Sequence, residues 1–276
     1  MSFFFFDYNH FYFFLISSAF LIIFIGFLDD IFDLKPFFRT LLQVSAILML
    51  IISNYKIFEI GVFDFEKIPS YFSVMFTIFC VLILINSINF LDGEDGLASS
   101  NMILSILFIF FYSYIFESKI NNQLLILLLI SLSIFLLLNF NLFYLPKIYL
   151  GDAGSNLLGY LIAWFLIYFS SPYAYAFPPE LCIWIIAYPV FDMLSIIIHR
   201  LINNKSPFKG DLNHNHHKFK KNGYSKFKIN IIVNSLSIIF AFLGVFVYLI
   251  FNPITSLFVF IFSFILYYYF FYYKIN

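Results

Sequence analysis

Charge is the scarcest feature of this 276-residue chain: Asp, Glu, Lys and Arg together make up 11% of it, against about a quarter in an ordinary soluble domain. That scarcity excludes a water-soluble globular protein. With 63% hydrophobic residues, 24% aromatics and a mean hydropathy of +0.95, the chain reads instead as an all-α polytopic membrane protein. Fifteen basic residues against fifteen acidic ones leave no net charge, so nucleic acid is not an expected partner. The two cysteines, Cys80 and Cys182, both stand inside apolar runs and read as buried small hydrophobes, not as a disulfide or a metal pair. The surplus of Phe, Ile, Tyr, Asn and Lys resembles a coding bias towards A and T and carries no functional reading.

What is there is a series of long apolar runs. A membrane span needs roughly 20 apolar residues, and nine candidates fit: Phe11–Leu28, Thr40–Ser53, Tyr71–Ile88, Ala98–Phe116, Gln123–Phe143, Ser155–Ser170, Leu181–Leu201, Ile229–Phe251 and Ile254–Tyr273. The second and sixth are short. No basic residue precedes the first run and no small-residue cleavage site follows it, so it is expected to be an uncleaved helix and not a signal peptide. About nine spans place twelve of the fifteen Lys and Arg residues on one side and only Lys56, Lys67 and Lys119 on the other. The positive-inside rule then puts the N-terminus outside and the C-terminus in the cytoplasm.

The stretch from Asn86 to Leu97, N-S-I-N-F-L-D-G-E-D-G-L, sets Asn86, Asn89, Asp92, Glu94 and Asp95 between two apolar runs and breaks them with Gly93 and Gly96. Carboxylates beside hydrocarbon are costly, so such a cluster calls for a positive partner, with a divalent metal the first candidate. Three further clusters fall on the same side of the membrane. These are G-F-L-D-D-I-F-D with Asp29, Asp30 and Asp33; P-K-I-Y-L-G-D-A-G-S with Lys147, Asp152 and Ser155; and S-P-F-K-G-D-L-N-H-N-H-H with Asp211, His214, His216 and His217. Each has a plain alternative: an acidic cap for the next helix, a solvated Gly-rich turn, or a stretch of basic cytoplasmic loop. All four sharing one face is what those alternatives do not explain.

The chemistry these residues suit is phosphoryl transfer, which needs anions neutralised and aligned and little covalent work from the protein. Asp92, Asp95 and Asp152 are hard oxygen donors suited to Mg²⁺ or Mn²⁺. Lys147 adds a point charge, Gly151 and Gly154 let backbone N–H groups approach phosphate, and the crowded histidines suit a diphosphate better than a zinc site. A transporter, the main alternative from another class, would set its acids within the spans and show internal repeats. Here the acids sit at span ends, and no repeat is visible.

On G-F-L-D-D at Gly26–Asp30, N-F-L-D-G-E-D-G-L-A at Asn89–Ala98, K-I-Y-L-G-D-A-G-S at Lys147–Ser155 and S-P-F-K-G-D-L-N-H-N-H-H at Ser206–His217, the chain resembles the polyprenyl-phosphate N-acetylhexosamine-1-phosphate transferases. This is the integral-membrane glycosyltransferase family 4, which includes WecA, TagO and MraY. Retention of Asp211 and of the H-x-H-H form is similar to the WecA/TagO branch; an MraY-like phospho-MurNAc-pentapeptide transferase is the alternative within the family. The resemblance implies one membrane domain over residues 1–276 and a site on the cytoplasmic face of the bacterial inner membrane. There a sugar 1-phosphate would pass from a UDP-N-acetylhexosamine, by default UDP-GlcNAc, to a polyprenyl phosphate such as undecaprenyl phosphate, releasing UMP with Mg²⁺ as cofactor.

The resemblance also distributes roles. Asp152 matches the family's metal-ligating aspartate, with Asp92 beside it; Asp29 and Asp30 match a pair proposed as base or lipid-phosphate contact. Asp92 and Asp95 match a further catalytic pair, and His214, His216 and His217 the diphosphate-binding histidines, with Asn89 and Lys147 among the binding residues. Family members usually carry about two more N-terminal spans with a basic loop between them, and only one span precedes Asp29 here. Leu212 stands where the branch often has Arg. Family members are often dimers, so a homodimer is a possible assembly, although no residue reads as an interface. Because a phosphate monoester is already mostly a dianion at neutral pH, proton removal is a small part of the barrier. Neutralising the two anions is the larger part, and Asp152 is therefore expected to be the most damaging single loss.

Overall fold

The computed structural model describes residues 3–61, 63–65, 69–118, 120, 123–141, 146–204, 206 and 215–273, with side chains described from Phe13 onward except those of His216 and His217. Among the described residues the protein is all-α apart from a hairpin of two-residue strands, β1 (Glu59–Ile60) against β2 (Phe63–Asp64). The helices are α1 (Phe3–Phe32), α2 (Pro36–Ile52), α3 (Ser70–Leu91), α4 (Leu97–Ile115), α5 (Gln123–Asn139), α6 (Gly151–Ser170), α7 (Glu180–Ile185), α8 (Ala187–Ile202), α9 (Asn215–Lys221), α10 (Lys226–Ile250) and α11 (Pro253–Tyr268), the last running on into a π-turn (Tyr269–Tyr273). Among the described residues six helices are long and apolar enough to cross a membrane: α1, α3, α4, α6, α10 and α11 with its π-turn. Helices α2 and α5 are shorter apolar helices.

Each predicted span overlaps helix among the described residues, six of them long enough to cross a membrane, and several bounds shift by three or four residues; three differences bear on the site. Helix α1 does not stop at Leu28; it runs to Phe32, so Asp29 and Asp30 stand in its last turns and not in a loop. The chain then turns at Asp33, which has φ +47°, and Pro36 opens α2, where its missing N–H costs nothing. The seventh span is broken between α7 and α8 at Ile186. Pro189 lies four residues past Ile185 and cannot donate to its carbonyl, which is why the helix interrupts there. Helix α6 begins at Gly151, four residues before the predicted start, and so takes Asp152 into its first turn.

Helix α6 is the central element, with Tyr160, Ile162, Trp164 and Phe165 almost wholly buried. Two glycines bring its neighbours close. A Cβ at Gly26 of α1 would run into the backbone of Ala153, and one at Gly159 would lie 2.7 Å from the Cα of Ile85 on α3. Small residues at such crossings are how membrane helices gain contact where lipid offers no hydrophobic drive. The interior is glued by polar pairs such as Asn101 to Ser237 (2.6 Å) and Tyr112 to the Ala241 carbonyl (2.6 Å) between α4 and α10. Phe13, Phe20, Phe246, Phe262 and Ile265 are exposed, the surface expected where lipid is the solvent. Cys80 and Cys182 are free thiols, each partly buried.

Candidate active site

The C-terminal ends of α1, α3 and α8 and the N-terminal ends of α2 and α6 converge around a cavity of about 560 Å³ lined by Asp29, Asp30, Asp33, Arg39, Asn89, Asp152 and Arg200. A second cavity, about 340 Å³, is lined by Asn89, Asp92, Glu94, Asp95, Tyr149 and Asp152 among others. Asn89 and Asp152 border both.

That shared wall is built by short polar contacts. The Asn89 amide donates to Asp152 Oδ1 (3.1 Å) and to Ser155 Oγ (2.9 Å), tying the end of α3 to the start of α6. Gly151 has φ +67°, a conformation L side chains rarely adopt, and it turns the chain so that the Asp152 N–H points to Asp30 Oδ1 at 3.3 Å. A carboxylate at a helix N-terminus is also favoured by the helix dipole. The Asp152 side chain keeps 43% of its surface exposed, so a ligand can reach it.

On the larger-cavity side, Asp29 is tightly held. Arg39 Nη1 lies 2.9 Å from Asp29 Oδ2, and the Leu34 N–H donates to Asp29 Oδ1 at 3.0 Å. The same guanidinium nitrogen is 3.8 Å from Asp152 Oδ2. Asp29 and Asp30 are therefore not caps of α2, whose N-cap is Lys35 with no side-chain bond.

On the other side, Asp92 closes α3 as its C-cap. Burial, then the charges of Asp152 and Asp95, push its carboxyl up to about 7. Asp95 behaves oppositely. Burial alone would raise it, but hydrogen bonds from Lys147 and Lys226 outweigh that and hold it below the usual carboxylate range. Lys147 Nζ stands 2.7 Å from Asp95 Oδ1, and Lys226 Nζ 3.3 Å from Oδ2. The bond to Asp95 correspondingly raises Lys147. Gly96, φ +75°, lets the loop turn into α4 against the Phe140 ring, and its N–H donates to Asn139 Oδ1.

The structure thus brings together Asp29, Asp30, Asn89, Asp92 and Asp152. Asp95 and Lys147 join as a pair, with Lys147 engaged by a carboxylate. Asp211, Leu212 and His214 lie outside the described residues. The backbone of His216 and His217 stands in α9, which is tied to the site loop by Lys220 Nζ on Glu94 Oε1 at 2.7 Å. The sequence reading missed Arg39 and Arg200 as site residues; Arg200, only 3% exposed, lines the larger cavity. A signal exists in the sequence, since an arginine beside an apolar run is costly unless partnered.

The donor set fits a hard divalent cation. Asp92 and Asp152 supply two carboxylates to one cavity; behind burial, the charges of Asp152 and Asp95 add to the upward push on Asp92, and that part is charge a cation would relieve. Among the described residues no group of three His, Cys, Asp or Glu could enclose a metal. Mg²⁺ is typically held by one or two carboxylates together with substrate phosphates and water, the number that Asp92 and Asp152 would offer.

Fold and site together define an integral-membrane protein with a carboxylate- and arginine-lined cleft at one end of its helices. The profile of glycosyl transferase family 4 matches residues 12–170, and the chain belongs to that family. Among its relatives is the undecaprenyl-phosphate alpha-N-acetylglucosaminyl 1-phosphate transferase of Escherichia coli O157:H7, 29% identical over 235 residues, 83% of this chain and 64% of that protein. The enzymes of the same name from Yersinia pestis (30% over 237 residues; 83% and 64%) and Haemophilus influenzae (30% over 233 residues; 83% and 66%) are similar to it as well. The chain spans just under two thirds of the length of these relatives.

Proposed function

We propose that the protein transfers N-acetylglucosamine 1-phosphate from UDP-GlcNAc to undecaprenyl phosphate, releasing UMP, on the cytoplasmic face of a bacterial inner membrane. The observation that carries this reading is the Asn89–Asp152 wall between two polar cavities, since a reaction joining two phosphates needs two anion sites that meet. The names of the relatives supply the substrates.

In this reading the larger cavity takes the acceptor phosphate, facing Arg39 and Arg200. The smaller takes the donor diphosphate, near α9 and its histidines. An acceptor phosphate oxygen attacks the β-phosphorus in line. The bond from that phosphorus to the bridging oxygen breaks, and the oxygen leaves on UMP. The acceptor arrives as a dianion, so Asp29 is not needed as a strong base; it holds Arg39 in place. Asn89 fixes the orientation of Asp152. Mg²⁺ held by Asp92 and Asp152 would supply charge neutralisation of the donor diphosphate. Nine passes, with α7 and α8 forming one, would leave the N-terminus outside and this cleft in the cytoplasm, in keeping with the Lys and Arg asymmetry.

The test is UMP release by the purified full chain in detergent with undecaprenyl phosphate, across a panel of UDP-sugars, with and without Mg²⁺. Release from UDP-GlcNAc that needs Mg²⁺ is expected. Release from another donor alone, or undiminished with excess chelator, would overturn the donor or the metal assignment.

A further inference from the structure

Away from the two cavities, a polar cluster lies buried where α8 meets the end of α11. Asp192 is 2% exposed. Its Oδ1 accepts from Tyr272 Oη at 2.7 Å, from Tyr267 Oη at 3.2 Å and from the backbone N–H of Asn215 at 3.4 Å. Asn215, itself 1% exposed, donates its amide to Tyr267 Oη at 2.6 Å. One carboxylate oxygen therefore gathers three elements: α8, the end of α11, and the first residue of α9.

The π-turn explains how two tyrosines reach the same oxygen. At 3.6 residues per turn, residues five apart in an α-helix point to different sides. The i→i+5 closure of a π-turn brings them to one side; Tyr267 stands at the end of α11 and Tyr272 within the turn at Tyr269–Tyr273. Helix α9 is fastened there a second time, by Lys218. Its Nζ donates to the Phe271 carbonyl at 3.0 Å and lies 3.9 Å from the Tyr272 ring centroid. Hydrogen bonds to a buried carboxylate are stronger than neutral ones, and leaving such a group unpaired is costly. Such a group is expensive to keep buried among apolar helices unless it fixes something.

What it fixes is the start of α9. Asn215 immediately precedes His216 and His217, and the other end of α9 is tied to the site loop through Lys220 and Glu94. We infer that Asp192, through Tyr267, Tyr272 and Asn215, is a positioning residue that seats α9 and so sets where its histidines meet the donor diphosphate. This rests on the donor-binding role of those histidines in the proposed function. Asp192 touches neither cavity; its effect passes through the backbone of Asn215.

Two readouts test it on the full chain in detergent: amide hydrogen exchange along α9, and steady-state constants for UDP-GlcNAc and undecaprenyl phosphate. Asp192→Ala should speed exchange over Asn215–Lys221 by about ten-fold or more while α4 and α10 stay unchanged, since only one of the three lost bonds is made directly to α9 and a single bond to a charged group is worth about that factor. The donor KM should rise by a similar factor, with the acceptor KM unmoved. Asp192→Asn, which keeps an acceptor oxygen, should restore most of both, and Tyr272→Phe, which removes one hydroxyl and keeps the ring, should fall between. Unchanged exchange in α9, faster exchange in α9 with an unmoved donor KM, or an equal rise along α4 and α10 in both Asp192→Ala and Tyr272→Phe would each overturn the inference. If the wild-type chain turns over no donor, the proposed reaction falls instead, and the exchange data alone still decide whether Asp192 seats α9.

Discussion

Asp152 and Asp95 carry the same side chain and meet opposite surroundings. Asp152 is left open to ligand, held by Asn89 and faced by Arg39 at 3.8 Å. Asp95 is consumed by two lysines. Asp152→Ala is therefore expected to lower kcat/KM by a factor on the order of 10³, the scale of losing a central electrostatic contact, while Asp95→Asn should act mainly on stability. Steady-state UMP release beside thermal melting separates the two. The pairing also predicts a pH dependence. The folded-state pKa of Asp95 is depressed, so its contribution to stability is present above the unfolded value of about 3.9 and is lost as pH falls through the depressed value. Wild type should melt above Lys147→Met at neutral pH, the gap closing as pH drops through and below about 4; a gap that stays constant would contradict the assignment. The carboxylates were legible in the sequence because each stands out against hydrocarbon. Their division of labour was not, because partners such as Lys226 and Arg39 come from distant segments.

At the scale of elements, the site depends on how closely α1 approaches α6. Gly26→Val would drive a side chain into the backbone of Ala153 and prise Asp29 and Asp30 away from Asp152. Overpacking of this kind costs about 1–3 kcal/mol, so a lowered melting temperature with a larger loss of activity is expected; wild-type activity in the variant would show that the α1–α6 contact does not set the site. Apolar length located the helices, since each span must run through hydrocarbon. Their ends were harder to read: hydropathy falls at Asp29 although the backbone stays helical to Phe32. The break at Ile186 was averaged away across an apolar window, although Pro189 marked it. Helix α9 was not anticipated, since seven residues rich in Lys and His look like loop until Asn215 and Lys220 are seen tied to other helices.

Across the molecule, among the described residues, the three acidic clusters around Asp29, Asp92 and Asp152 gather at one end of the helices and the hairpin lies at the other, where Asn54 meets Tyr173 at 2.6 Å. The gathering of the three acidic clusters was foreseeable from their shared side of the apolar runs; Asp211 and His214 of the fourth lie outside the described residues. The partition of that end into two cavities sharing Asn89 and Asp152 was not, because it depends on the φ of Gly151 and the crossing at Gly26. The central claim is that the two cavities hold two phosphates that react with each other. It is tested most directly by following the β-phosphorus of UDP-GlcNAc, isotopically labelled, in wild type and in Asn89→Ala. Label passing wholly into the lipid diphosphate, with none on UMP or protein and with transfer sharply slowed in Asn89→Ala, is the predicted result. Label trapped on an aspartate of the protein, or transfer at the wild-type rate in Asn89→Ala, would contradict it.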